Sequence, residues 1–257
     1  MTQICKLCQL EKQLRRSHIL PEFMYQNLYD ENPRRFHSLN VDLDDISKSS
    51  NKIEQKGIRE FLLCDQCEGL ISKHEKYAAE TIYAKNDGNK AYIINASKTD
   101  DGQYTLYDYA GFSYKQFKLF LLSILWRMLI SEKFTEIKGE EEILERLRVA
   151  ILTEDPLQFD DFGCLIQVIR YNEEQLAAKF ILSPYLTKDA NSLVINQLVD
   201  GLMYSFYFNS KDLTITKKDV FLKEDGTMKI IGRIIFNDPQ LLESVMKAYQ
   251  YYDSLKK

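Results

Sequence analysis

Two Cys-x-x-Cys pairs, Cys5–Cys8 and Cys64–Cys67, constrain this chain more than anything else in it. Each pair puts two thiolates on one tight turn, at the bite a tetrahedral Zn²⁺ requires. Together the pairs supply all four ligands and leave no open position, which is the pattern of a structural zinc site. The alternative is four thiols that never meet, and the duplicated spacing argues against it. The segment between the pairs is longer than in a simple zinc ribbon, so something is built there, and function is sought there first. The fifth cysteine, Cys164, lies in the strand-like run "FGCLIQVIR" and reads as a core residue.

The first 85 residues hold four of the five cysteines and all three histidines, and alternate short apolar pieces with polar loops. That texture suits a small domain that needs a metal staple. Residues 86–257 form a second unit of a different kind. "AYIINASK" and "QYTLYDYAG" flank "TDDG" as a hairpin. Ser113 opens a helix that runs to about Ser131 and is apolar nearly all round, so it is central and buried, with Trp126 in the core. "GEEEILERLRVAIL" reads as an amphipathic helix with glutamates in its first turn, where the helix dipole favours them. Further on, hairpins are expected about Asp200-Gly201 and Asp225-Gly226. A terminal helix is expected over 239–252, opened by Asp238-Pro239. Helices and antiparallel hairpins segregate rather than alternate, so the class is α+β.

Three histidines limit the choice of any catalytic imidazole: His18, His37 and His74. His18 follows the first cysteine pair by one short strand. His37 sits in an arginine-bearing polar loop, and His74 is expected on the solvent side of a helix. A helix beginning near Cys67 places Glu68, Ser72 and Glu75 at i, i+4 and i+7 on one face. Glu68 fits the first turn of a helix for dipole reasons alone, whereas Glu75 does not. Two carboxylates beside the knuckle are oxygen ligands of the kind a hard cation such as Mg²⁺ prefers.

The run "CKLC…SHILP…GIREFLLCDQCE" resembles the zinc-containing HNH endonucleases, over roughly the first 80 residues. The resemblance implies a zinc-stapled ββα-metal, treble-clef-like domain. It makes Cys5, Cys8, Cys64 and Cys67 structural zinc ligands and His18 the general base that activates water against a phosphodiester. Glu68 stands where the family carries a ligand of the catalytic cation, Mg²⁺ or Mn²⁺. Ser17 stands where the family has an aspartate or histidine, and the family's middle asparagine falls near Arg59. Glu75, about two turns beyond Glu68, is by helix spacing alone the candidate for the missing carboxylate.

Composition narrows the partner. A net charge of −4 excludes a polyanion binder that works by bulk charge, so DNA or RNA would need a local patch. Arg15, Arg16, Arg34, Arg35 and Arg59 are the candidates. "MTQICKLCQL" has neither the basic start nor the apolar core of a secretory leader. The run "FKLFLLSILWRMLI" is too short and, with Lys118 and Arg127, too charged to span a bilayer. The expectation is a cytoplasmic protein without a membrane partner, which can pair with itself or with a protein through residues 86–257. Two functions compete: an HNH-like endonuclease, and a zinc module that has lost catalysis and recognises nucleic acid or protein.

Overall fold

The computed structural model describes residues 2–30, 34–40, 45–83, 91–100, 102, 104–171, 180–189, 192–208, 210–234, 239, 242, 243, 245 and 246. It is a mixed α+β chain with four α-helices and one large sheet among those residues.

The chain opens with two very short strands, β1 (Gln3–Ile4) and β2 (Glu11–Lys12), paired antiparallel around the first knuckle. The turn closes through Cys5 N–H to Leu10 O at 3.0 Å and Gln9 N–H to Cys5 O at 2.8 Å. Gln9 takes a left-handed φ of 58° to complete it. Strand β3 (Leu14–His18) follows. A 3₁₀ turn over Glu22–Tyr25 buries Met24 and Tyr25, and then come β4 (Phe36–Asn40) and β5 (Ser50–Glu54). Strand β6 (Arg59–Cys64) returns antiparallel to β3, from Leu14↔Cys64 to His18↔Arg59, with an irregularity at Arg15/Arg16. It runs straight into helix α1 (Asp65–Ile82), with Cys64 as both strand end and N-cap. The buried stripe of α1 is Cys67, Ile71, His74 and Ala78, the spacing of one helix face.

The remaining elements are β7 (Tyr92–Lys98), β8 (Tyr104–Ala110), α2 (Tyr114–Ile130), α3 (Glu141–Thr153), β9 (Cys164–Arg170), β10 (Phe180–Leu182), β11 (Tyr185–Asp189), β12 (Ser192–Val199), β13 (Leu202–Tyr207), α4 (Ile215–Lys218) and β14 (Met228–Ile234). The ten-stranded sheet has the order β5-β4-β10-β12-β13-β9-β14-β8-β7, with β11 also beside β12. Its pairings are antiparallel except β4–β10 and β9–β14. Ser113 and Ser131 flank α2 as its caps. Every residue from Phe117 to Leu129 is buried, because α2 lies among α1, α3 and the sheet. Alternation along the strands divides the sheet's two faces. Ile166, Ile195, Tyr204 and Phe206 meet the helices, while Ile169, Leu198 and Met203 form a smaller core with Leu39 and Val245.

Three features depart from the sequence reading. The sheet crosses residue 85: β4 pairs with β10 at Phe180↔His37 and Leu182↔Leu39, and buried Leu39 takes its cover from Phe180, Leu182 and Leu198. No strand precedes Asp225-Gly226. The turn forms, with Gly226 at φ 80°, but β14 gives one edge to β8 and the other to β9, so no edge is left for residues 219–222. His74 is buried at 4% exposure, not solvent-facing. Of the expected terminal helix, residues 239, 242, 243, 245 and 246 are helical, and the rest of 239–252 lies outside the described residues. Among the described residues, no helix is long and apolar enough to cross a membrane.

Candidate functional site

The two knuckles meet. Ligand atoms of Cys5, Cys8, Cys64 and Cys67 all lie within 4.8 Å of one another. Cys8 Sγ and Cys64 Sγ are 4.0 Å apart, close to the edge of about 3.8 Å that four Zn–S bonds of ~2.3 Å define. The Cys64 backbone N–H donates to Cys5 Sγ at 3.4 Å, which favours a thiolate there. Cys5 is fully buried and Cys64 and Cys67 nearly so, so the donor set is a closed, four-sulfur cage suited to a tetrahedral cation such as zinc. It fixes the turn between β1 and β2 to the end of β6 and the first turn of α1.

His18 ends β3. Its Nε2 lies 2.6 Å from Glu22 Oε2, which the 3₁₀ turn after Pro21 brings back toward the strand. The approach is close but not aligned as a hydrogen bond. Glu22 also meets Arg34 Nη2 at 3.1 Å and Arg59 Nη2 at 3.4 Å. Arg34 in turn stacks on Tyr29, 3.9 Å from the ring centroid. Burial holds His18 below the usual imidazole range, with Arg59 acting in the same direction and Glu22 and Glu75 against it. The side chain therefore stays neutral near pH 7.

Behind this pair stand the carboxylates of α1. Glu68 and Glu75 face inward, while Ser72, expected on the same face, is exposed and donates to Gly69 O at 3.3 Å. Ser17 is buried and accepts the Leu63 backbone N–H at 3.1 Å. Burial still raises Glu68 above the usual carboxylate range, against the opposing pull of Ser17 and the charge of Arg127. Glu75 is paired with Arg127, its Oε1 lying 2.7 Å from Nη2.

These positions test the expected divalent site. Among the described residues, the four cysteines are the one cluster of three or more cysteine, histidine or carboxylate side chains that draws together tightly enough to hold a metal ion. His18, Glu68 and Glu75 do not form a second one. One of the two acids is held by a guanidinium and burial favours the neutral form of the other, so they do not fit as ligands of Mg²⁺ or Mn²⁺.

The five arginines separate. Arg16 and Arg59 line a groove of about 570 Å³ between β3–β6 and the β4–β5 hairpin, together with Lys52, Lys56, Lys133 and Asn40. Five cations face two carboxylates, Glu54 and Glu136, in that groove, on a chain whose net charge is negative. Arg59 and Lys56 are shared with an adjoining cavity of about 410 Å³ that Glu22, Tyr29 and Arg34 also line. Arg15 instead forms a two-pronged, exposed pair with Asp65, and Arg35 pairs with Asp30 at 3.3 Å. His37 lies on β4 and contacts Asn51.

Sequence reasoning missed Glu22, Arg127 and the groove lysines. The available signal for Arg127 was a cation in the most apolar stretch of α2, since such a charge is rarely buried without a partner. Glu22 is four residues from His18, but across a proline and a 3₁₀ turn, where helix spacing does not apply. No protein-family model, curated protein or solved structure matches this chain.

Proposed function

We propose that this protein binds nucleic acid along the basic groove and hydrolyses its phosphodiester bonds with His18 as general base, on an HNH-like ββα unit made of β3, β6 and α1. Structural zinc in the four-cysteine cage would hold that unit together. The observation that carries the reading is the His18–Glu22 contact, 2.6 Å, with Glu22 lining the cavity that shares Arg59 and Lys56 with the basic groove. The resemblance of "SHILP" and "LLCDQCE" to the HNH endonucleases points the same way.

The chemistry asks little of the chain. With Nε2 against Glu22, Nδ1 is the nitrogen that takes the proton of an attacking water. Glu22 orients the ring and stabilises the imidazolium that forms. The water oxygen bonds to phosphorus, the P–O3′ bond breaks, and solvent protonates the leaving oxygen. Arg59 and Arg34 offset the charge on the phosphoryl oxygens, and Lys52, Lys56 and Lys133 hold the flanking backbone. No step is assigned to a divalent ion at Glu68 and Glu75.

A second reading has its own observation. Glu75 is committed to Arg127, which favours a nucleic-acid-binding module without catalysis. Nicking of plasmid and cleavage of single-stranded DNA and RNA by purified protein, compared with His18→Ala, separates the two. Cleavage that His18→Ala abolishes supports the hydrolase. Binding that Lys52→Glu with Lys56→Glu weakens roughly tenfold or more, without cleavage by wild type, supports the module. Neither cleavage nor salt-dependent binding would remove nucleic acid from the account.

A further inference from the structure

The acidic pair on α1 already has a cation. Arg127 reaches it from α2, outside the first 85 residues, and its side chain is 2% exposed. Nη2 lies 2.7 Å from Glu75 Oε1. Nη1 donates to the backbone carbonyl of His18 at 2.8 Å, and Nε to the carbonyl of Ser123 at 3.1 Å. Its charge also acts on Glu68. One guanidinium therefore touches the His18 backbone and the Glu75 carboxylate, and its charge reaches Glu68, where the HNH resemblance puts a ligand of the catalytic cation.

A guanidinium and a divalent ion are not equivalent here. The guanidinium is permanently charged, planar and weakly hydrated, so it tolerates burial where a hydrated Mg²⁺ does not. Once it is fixed, a second cation entering between Glu68 and Glu75 meets a like charge in a poorly screened interior. Its hold on the His18 carbonyl also ties the end of β3 to α2, so the helical core sets where the imidazole stands.

We propose that Arg127 is the resident cation of this site: it stands where the resemblance puts Mg²⁺ or Mn²⁺, closes Glu68 and Glu75 to divalent ions, and positions His18 through its backbone. Arg127 does not reach substrate, so it is a positioning residue. Its consequence for catalysis rests on the hydrolase reading: phosphodiester cleavage by this chain needs no added divalent ion.

The test is Mn²⁺ binding by the zinc-loaded, full-length protein, read from the loss of the free-ion electron paramagnetic resonance signal. Wild type and Arg127→Lys, which both keep a charge in place, should leave Mn²⁺ free. Arg127→Met should bind about one Mn²⁺ per chain, at least roughly tenfold more tightly than wild type, and lose it when combined with Glu75→Gln. Mn²⁺ should also raise the melting temperature of Arg127→Met alone. Wild type that binds Mn²⁺ and loses it on Glu75→Gln would overturn the proposal, and so would folded Arg127→Met that binds none. If Arg127→Met does not fold, wild type and Arg127→Lys still decide. Cleavage is assayed in parallel with divalent ions withheld and zinc content verified. Activity that depends strictly on added Mg²⁺ counts against Arg127, whereas absence of cleavage in every condition defeats the hydrolase reading and leaves the Mn²⁺ result standing.

Discussion

Glu75→Gln should destabilise the fold far more than loss of any surface carboxylate, and the reason lies in Arg127. At 2.7 Å the two opposite charges attract by about 6 kcal/mol at an effective dielectric of 20. That is a ceiling, because Glu75 is 21% exposed and keeps some water of its own. Glutamine preserves a neutral acceptor, worth about 1 kcal/mol. Arg127 also retains the carbonyls of His18 and Ser123 and the nearby Glu68. What remains is a buried guanidinium without its closest anion, a situation that costs about 3–5 kcal/mol in full and about 2–3 kcal/mol with these residual partners. In a chain of this size that is a fall in melting temperature of roughly 5–10 °C. Asp65→Asn is the control. It removes the charge from a pair with Arg15 whose side chains are 60% and 70% exposed, and its melting temperature should coincide with that of wild type. Thermal unfolding followed by circular dichroism at neutral pH measures both. Equal shifts for the two variants would refute the argument, since they would mean that burial around Arg127 adds nothing to the pair.

Metal analysis should find about one zinc per chain, and removing it with a strong chelator should lower the melting temperature and free the β3–β6 pairing; unchanged unfolding of zinc-free protein would count against the cage. Lys118, 2% exposed and donating to the carbonyls of Phe159, Asp161 and Phe162, gives a pH signature. Burial lowers its pKa from 10.5 to about 8, so the unfolded chain holds more protons between those values. Stability should therefore rise with pH across that window, by up to about 3 kcal/mol, and the slope measured from pH 7.5 to 9.5 should vanish in Lys118→Met. Gly163→Ala would put a Cβ 2.3 Å from the Phe221 ring, which is 1% exposed and has no room to swing. A loss of about 1–3 kcal/mol in denaturant unfolding is expected, and a change within error would show that the ring moves freely.

What could be read from the sequence was local. Two Cys-x-x-Cys spacings announce a four-sulfur cage because each pair is a single turn. The bounds of α2 at Ser113 and Ser131 were legible because the apolar run between them is continuous and local. The inward turn of Glu68 and Glu75 follows from helix arithmetic, yet the same arithmetic placed Ser72 with them, and Ser72 is exposed. Periodicity gives a direction around the axis, not the depth of the neighbour that covers it.

What could not be read was set by contacts between distant parts of the chain. The basic groove is lined from both parts of the chain: β4 pairs with β10 and carries β5 on its other edge, and Lys52 and Lys56 share the groove with Arg16, Arg59 and Lys133. No window of sequence contains that pairing. The same holds for Arg127. Its charge within an apolar helix signals a buried partner, but whether the partner is a lipid headgroup, a ligand or a carboxylate depends on how α2 lies against α1. That packing decides the chemistry as well. The two acids that a spacing rule offers to a metal are, once the helices are assembled, the counter-ions of an arginine.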